Sequence, residues 1–585
     1  MQAGTDEDKP CLVETGRGLS VLYKNRYLYS KYNPVASIER LVESVEIQQY
    51  SLILCLSPVL GYGLERLAKR LPENCFMLAI ESDPQLLELY NPTTIPAGVG
   101  FLGAEKTGEL YNLLTRKSQL ADNQVPIPSP GTFRHCLRLD FSAATALHQE
   151  EYLAIHRIAE LAVANFWKNR LTLIKMGRLY HRNILRNLAL LPHGRAIPAE
   201  RVDRPLLVLG AGPSADETIQ QLERLSPDCR KQICLLAVDA AVPALLTRKI
   251  KPDLVLALEC QHAIQQAYTT ATGTQLLFLA DLTSRPSILH EDTGFQRAAG
   301  KNNRLQPIFG RNCTGGETAF FSTEFASTSF LERLQRKGLL EYRLPPLGSV
   351  GIAAVELAVR MRTNSGVPIL VSGLDFSHSL GRTHCKESFQ VRNNLTRCSR
   401  LNPPGSYGSL ANPTLEKRSG KSGPIYSDHI LRQYAQIFLH RFQDTANIYD
   451  VGGAGLDLGL QKMDFESAWK LLVPAQDGKS DGAAGARKPD KKRQPDKGDE
   501  GLAGLVEEFY RGEEALLQEL RDGLSQGAIP KERILAILEE ADYLYLHFPD
   551  GHRPSLETSF LKRVRSEIDF FLKDIAIGRR LLAGR

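Results

Sequence analysis

Two regions of the chain alternate short, wholly apolar runs with stretches whose apolar residues recur at helical spacing, and a third carries helical spacing alone. In the first region Leu52–Leu56 and Phe76–Ile80 are apolar runs, and helix-spaced residues from Leu64 to Leu71 lie between them. In the second, Leu206–Leu209, Ile233–Val238, a run from Leu254 and the run Ile369–Val371 are joined by helical segments and short turns. Apolar runs without alternation suit strands buried on both faces, and the helices between them supply parallel crossovers. The third region repeats Leu502, Leu505, Val506, Phe509, Leu516, Leu517, Leu520 and Leu524, then Ile534 to Phe548, then Phe560, Leu561, Val564, Ile568, Phe571, Leu572 and Ile575. Pro549-Asp-Gly551 breaks it once. The pattern predicts an α/β protein: two Rossmann-like doubly wound units followed by a C-terminal all-α helical module.

The expected boundaries are an N-terminal Rossmann-like domain over 1–147, a helical connector over 148–199 and a central α/β domain over 200–475. A flexible linker over 476–500, rich in Gly, Pro, Lys and Asp, precedes the helical domain over 501–585. Composition changes this picture little. Over 585 residues, 43% hydrophobic and 24% charged residues are ordinary for globular domains. A net charge of +6 points to neither a nucleic-acid partner nor a polybasic membrane anchor. No apolar run approaches the ~20 residues of a membrane span, and the polar, acidic start is unlike a signal peptide. The ten cysteines are scattered, and Cys55, Cys234 and Cys260 lie in apolar runs as reduced core residues. A cytoplasmic protein is expected.

Chemistry concentrates where the strand Leu206–Leu209 breaks into Gly210-Ala-Gly212-Pro213-Ser214 and a helix follows. Glycines let the backbone turn tightly and approach a ligand, Pro213 suits a first helical position, and Ser214 with first-turn amides could hold a phosphate. The loop fits a phosphate cradle, a dinucleotide fingerprint or a plain turn in an α/β sheet. Asp239 and Glu259 fall at carboxyl ends of the next two strands, where open sheets face ligands. Asp253 opens a strand and reads as a turn or capping carboxylate. In the first region Glu81 follows Phe76–Ile80 as a ribose-binding acid would in a methyltransferase.

Further on, Gly348-Ser349-Val350 opens a helix and offers a second set of amino-terminal amides. The strand ending near Gly373-Leu-Asp375-Phe376 runs into His378, Arg382 and His384, a carboxylate and two histidines suited to acid/base work. Tyr426 and Tyr434 could meet phosphate or acceptor, but read first as residues packed along an amphipathic helix. Arg382, Lys386, Lys417, Arg418 and Lys421 read as solvated charges, and Gly452-Gly-Ala-Gly455 as a structural turn.

Taken in order, Gly210-Ala-Gly212-Pro213-Ser214, Ile250-Lys-Pro252-Asp253, Gly348-Ser349-Val350 and Gly373-Leu-Asp375-Phe376 with His384 resemble the bacterial motility accessory factor family. That family's core is similar to the 6-hydroxymethylpterin diphosphokinase-like domain and to bacterial sialyltransferases. Tyr29-Ser-Lys-Tyr-Asn-Pro34 and Leu60-Gly61-Tyr62-Gly63 resemble its N-terminal elements, although Ser57 stands where the family's first loop glycine would be. Glu259 likewise stands where relatives tend to carry Asp.

The resemblance implies a glycosyltransferase that moves a sialic-acid-like nonulosonic sugar from a CMP donor to Ser or Thr of flagellin. It implies nucleotide binding by Gly210, Gly212, Pro213, Ser214, Asp239, Glu259, Gly348 and Ser349, with His384 as base and Asp375 as an electrostatic partner. It requires no metal or further cofactor; the CMP-activated sugar is a co-substrate. Magnesium enters only under the alternative of an ATP-dependent pterin diphosphokinase-like enzyme. A catalytically silent flagellin-binding protein is the other alternative. Partners are then flagellin and the donor, with no nucleic acid and no membrane, and the C-terminal helices could join a homo-oligomer.

Overall fold

The computed structural model describes residues 9–89, 96–115, 127–128, 130–194, 202–271, 274–289, 318–324, 328–340, 342–402, 414–472, 497–526 and 529–583. The chain divides into two compact units, 1–175 and 176–585. It is a mixed α/β protein with parallel sheets, many helices and a helical C-terminal region.

The first unit opens with an antiparallel meander of β1 (Cys11–Glu14), β2 (Leu19–Tyr23) and β3 (Arg26–Tyr27). A parallel sheet follows, built from β4 (Ser51–Leu56), β5 (Phe76–Ile80), β6 (Gly100–Leu102) and β7 (His135–Asp140) in the order β6-β5-β4-β7. Ile53, Cys55, Met77 and Ala79 face one buried layer with Ile38 and Val42. Leu52, Leu54 and Leu78 face another with Tyr152, Ile155 and Ala159. Both faces are covered, which is why β4 and β5 read as unbroken apolar runs. The two N-terminal family-like motifs meet here: Leu60 donates its amide to the Tyr29 hydroxyl (3.1 Å), and the Tyr29 and Tyr62 rings stack edge to face.

Glu81 has a different role from the one its position suggests. It is fully buried and accepts hydrogen bonds from Ser57 Oγ (2.8 Å), Tyr152 Oη (2.7 Å) and the Asp83 amide (3.1 Å). Ser142 Oγ bonds Ser57 Oγ in turn. The acid at this strand end is thus consumed by an internal polar network, and burial still pushes its carboxyl up.

The second unit is organised by a nine-stranded sheet whose paired neighbours all run parallel. Its strands are β8 (Leu206–Leu209), β9 (Cys234–Val238), β10 (Leu254–Ala257), β11 (Phe278–Asp281), β12 (Thr318–Thr323), β13 (Arg343–Leu344), β14 (Ile369–Ser372), β17 (Ile448–Asp450) and β18 (Gln461–Lys462). From β8 the chain builds outward to β13, then returns to place β14, β17 and β18 on the other side of β8. The order therefore reverses between β8 and β14, and a crevice opens at the carboxyl ends of strands at such a reversal. An antiparallel hairpin, β15 (Glu416–Gly420) and β16 (Gly423–Ser427), stands apart from the sheet's ladder.

Seven helices matter below: α1 (Gln149–Asn187), α2 (Ala215–Arg224), α3 (Val350–Met361), α4 (His429–Phe442), α5 (Lys497–Gln526), α6 (Lys531–Glu540) and α7 (Thr558–Ala583). Nearly all of α3 is buried, against β8, β9 and β14. The apolar stripes of α5 to α7 form as the periodicity predicts, but the helices do not close only on one another. Val506, Phe509, Tyr510, Leu517, Val564, Ile568 and Phe571 share one core with Val255, Phe278 and Phe320 of the sheet. Tyr510 donates to the Leu185 carbonyl (2.6 Å), so the C-terminal helices form a layer of the second unit. Residues 476–496 of the expected linker lie outside the described residues, and α5 begins at Lys497. Among the described residues no helix is long and apolar enough to cross a membrane.

Candidate functional site

The strand-end loops at the β8–β14 reversal meet through backbone contacts that only glycine permits. The Gly210 amide donates to Ser372 O and the Gly212 amide to Gly373 O, both at 2.8 Å. A Cβ on Gly210 would lie 2.3 Å from the Gly373 carbonyl oxygen, and one on Gly373, whose φ is +74°, 2.4 Å from that of Gly210. The glycines thus let two strand-end loops touch.

Ser214 joins the same contact. Its amide donates to Asp375 Oδ2 (2.7 Å), its hydroxyl donates to Asp375 Oδ1, and Ser214 Oγ accepts from the Gly373 amide (3.1 Å). These donors are turned onto a carboxylate of the protein itself. Ser214 is the N-cap of α2, so Pro213 precedes the helix instead of starting it. Asp375 is 3% exposed. Burial pushes its carboxyl up to about 6, while the Ser214 bonds and Lys421 pull it down.

Lys421, read from the sequence as a solvated charge, is buried. The β15–β16 hairpin carries it under the loops, where Nζ meets Asp450 Oδ2 at 2.8 Å and Oδ1 at 3.1 Å; the two side chains are 6% and 2% exposed. The Gly452–Gly455 turn completes this floor, since the Leu456 amide bonds Asp375 O and the Lys421 amide bonds Gly455 O, each at 2.9 Å.

The histidine segment reaches the loop through its neighbours. The Cys385 amide donates to Ala211 O (2.8 Å), and Asp216 at the start of α2 accepts from the Lys386 amide (2.7 Å) and from Arg382. His384 therefore lies beside Gly210–Ser214, half-buried, with Nδ1 3.1 Å from Thr383 Oγ1. Burial, with His378 nearby, lowers its pKa to about 4. The imidazole is neutral at physiological pH, and the same burial disfavours its protonated form, so bound substrate must raise its basicity before it can take a proton. Tyr426 is on β16, where it pairs with His378 through two backbone hydrogen bonds (2.7 and 2.9 Å), instead of on the helix. Tyr434 is on α4 and covers Gly348; a Cβ there would come 2.7 Å from its ring. Gly348 and Ser349 lead into α3, which reaches the Asp375 loop through Gly351 and Leu374.

Asp239 and Glu259 lie at the carboxyl ends of β9 and β10, further along the same sheet edge. Asp239 is 4% exposed; Oδ1 accepts from the Ala240 amide (2.7 Å), and among the described residues no donor meets Oδ2 with full hydrogen-bond geometry, although the Leu258 and Glu259 amides lie close. Burial pushes this carboxyl up to about 7, the Ala240 amide opposes the rise and Glu259 adds to it. The fully buried Tyr268 hydroxyl, close enough to feel Asp239, also lacks a hydrogen-bond partner among the described residues. Asp253 sits at the opposite end of β10, bonding the Leu235 amide and Arg204, so it is a structural carboxylate.

A folded pKa above the unfolded value of about 3.9 means that the folded state holds the extra proton between the two. Stability from this group is present below about 4 and lost as pH rises to about 7. Asp239→Asn is therefore expected to flatten the fall in stability between pH 4.5 and 7.5 by a few kcal/mol. Urea midpoints at the two pH values measure it; parallel curves for variant and wild type would contradict it.

Sequence reasoning missed Asp450 and Tyr268 and took Lys421 for a solvated charge.

Residues 182–380 match the family model described as 6-hydroxymethylpterin diphosphokinase MptE-like. A protein of Treponema pallidum (strain Nichols), named only as uncharacterized, is 32% identical over 586 residues, which cover 96% of this chain and 94% of that protein. The chain belongs to that protein's family. Its core is an MptE-like domain, which bears out the core that the motifs implied. The MptE-like segment holds the glycine loop, Asp239, Glu259, the Gly348 turn and Asp375, and His384 follows just after it. Among solved structures the chain is similar to the MAf glycosyltransferase from Magnetospirillum magneticum AMB-1, at 13% identity over 98% of this chain and 90% of that one, with a TM-score of 0.48.

Proposed function

We propose that the chain is a glycosyltransferase that moves a sialic-acid-like nonulosonic sugar from a CMP donor to Ser or Thr hydroxyls of flagellin, in the cytoplasm. The observation that carries this reading is the Cys385–Ala211 bond, which sets a neutral His384 beside the glycine loop at the sheet's reversal point. In the reaction the acceptor oxygen bonds the anomeric carbon as the bond to the CMP phosphate breaks. The electron pair leaves with CMP, and the acceptor proton passes to His384. The buried carboxyl of Asp375 lies near enough to the loop to favour positive charge developing on the sugar. The Ser214 donors are engaged by Asp375, so the donor's anionic groups require other cations of the crevice.

The MptE-like match favours a second reading, diphosphate transfer from ATP with magnesium, in which Asp239 and Glu259 would be the first candidates to meet the metal. Calorimetric titration separates the two. Saturable binding of CMP without metal, and none of ATP with magnesium, is expected; the reverse would transfer the assignment to the diphosphokinase. His384→Ala is expected to slow sugar transfer about 10²–10⁴-fold while leaving CMP affinity unchanged. Transfer rates under saturating donor measure the effect, and a wild-type rate would remove His384 from the mechanism.

A further inference from the structure

Three of the five most exposed large apolar side chains among the described residues stand on one segment: Leu380 (73%), Leu395 (60%) and Leu401 (89%). It is the segment that carries His384. Ser379 and Arg382 exchange two backbone hydrogen bonds, both of 2.9 Å, which fixes Leu380 at the tip of a tight turn just before the histidine. Beyond it, Ser388 caps a short helix, Phe389–Thr396. Phe389 packs against the core shared by the sheet and the C-terminal helices. Arg392 and Leu395, three apart and so on one side, are exposed.

The chain then doubles back on the end of this helix. The Asn402 side-chain amide donates to the Arg397 carbonyl (2.9 Å), and Ser399 and Asn402 exchange backbone bonds of 2.9 and 3.1 Å. Arg400 and Leu401 form the tip of this second turn. Leu395, Arg397, Arg400 and Leu401 are thereby gathered at the helix end, all of them exposed. Closed turns hold both tip leucines in solvent, where their apolar surface gains by being covered.

The charge around them has one sign. No Asp or Glu occurs from Ser388 to Leu415. Arg392, Arg397 and Arg400 are exposed, and none of them forms an ion pair among the described residues. Ser388–Asn402 holds no lysine, and arginine without lysine beside apolar groups is the composition of a protein–protein contact. Three arginines fall short of the roughly four to eight basic residues of a membrane-binding cluster. The one aromatic ring from Ser388 to Asn402, Phe389, packs inward and offers no platform for a nucleic-acid base.

We infer that the helix Phe389–Thr396, with the turns at Leu380 and Leu401, is the docking surface for the acceptor polypeptide, which meets it with a stretch of acidic and apolar side chains. Acids of the acceptor match the unpaired arginines, and its apolar groups cover the leucines. The inference rests on the proposed transfer reaction, in which a protein hydroxyl must reach His384. The helix starts five residues after that histidine and is about 12 Å long, so a docked chain lies within reach of it.

The test measures binding of purified flagellin to the full-length protein, to Arg392→Glu/Arg397→Glu/Arg400→Glu and to Leu395→Ser/Leu401→Ser. The wild type is expected to bind, and more weakly as salt rises. Each variant should lose about tenfold or more in flagellin affinity, and the arginine variant should also lose the salt dependence. CMP affinity and Tm should keep their wild-type values, because every altered side chain is exposed. Flagellin affinities within about twofold across the three proteins, with transfer intact, would overturn this surface and leave the reaction standing. Affinity lost in both variants while the wild type transfers no sugar would keep the surface and remove the reaction. Absence of flagellin binding by the wild type would overturn the surface. So would capture of the wild type by vesicles of phosphatidylcholine and phosphatidylserine, lost in the variants while flagellin affinity holds.

Discussion

Breaking the Lys421–Asp450 pair is expected to cost about 3–5 kcal/mol, because removing one partner leaves the other charge buried without compensation. Lys421→Met keeps the bulk of the side chain and abandons Asp450, 2% exposed, beside the equally buried Asp375. Asp375, which Lys421 holds down, would then keep its proton more readily, so the variant should lose stability most steeply as pH rises and that carboxyl is forced to ionise. The double variant Lys421→Met/Asp450→Leu should recover most of the loss, since replacing both members of a buried pair with apolar residues is often near neutral. Urea unfolding at pH 7 measures all three proteins. A cost below about 1 kcal/mol for the single variant would mean that water reaches the pair, as it does in an exposed bridge.

Gly373→Ala is the second large effect, expected at about 2–5 kcal/mol. A left-handed backbone costs a residue with a Cβ about 1–2 kcal/mol, and forcing an atom into packed structure about 1–3 kcal/mol more. The added Cβ would lie 2.4 Å from Gly210 O and 3.0 Å from the Ala215 Cβ, so the two loops must part. Parting them would also loosen Ser214 from Asp375. Gly338→Ala is the internal control: its φ of +71° carries the same backbone strain, but nothing lies within 4 Å of the new Cβ. Equal losses for both substitutions would show that the loops are free to separate.

The architecture was readable wherever burial left a periodic trace. β4, β5, β8, β9, β10 and β14 all stand where unbroken apolar runs predict them, because covering both faces removes any reason for alternation. What the helical stripes near the C-terminus could not reveal was their partner. Periodicity says that Val506, Phe509 and Phe571 are buried, and only the folded chain says that Phe278 and Phe320 bury them.

The candidate site was legible as a set of loops and illegible as a set of bonds. The glycine loop and Asp375 each stood out, yet nothing local says that Ser214 gives its donors to a carboxylate 161 residues away. Lys421 looks like any surface lysine until Asp450 is brought beneath it. Tyr426 went to the wrong element for a reason present in the sequence: Asp428 caps α4 by accepting from the Leu431 amide (2.7 Å), so the helix starts after the tyrosine. Arg178 and Arg186 of α1 pair with acids of α7, Glu567 and Asp574, that lie almost 390 residues later.

The most direct measurement is the intact mass of purified flagellin after incubation with the full-length protein and a CMP-activated nonulosonic sugar. The proposed reaction predicts that flagellin gains the mass of the sugar residue in step with release of CMP, without added metal. Unchanged flagellin mass under conditions where the protein is folded and binds CMP would contradict it.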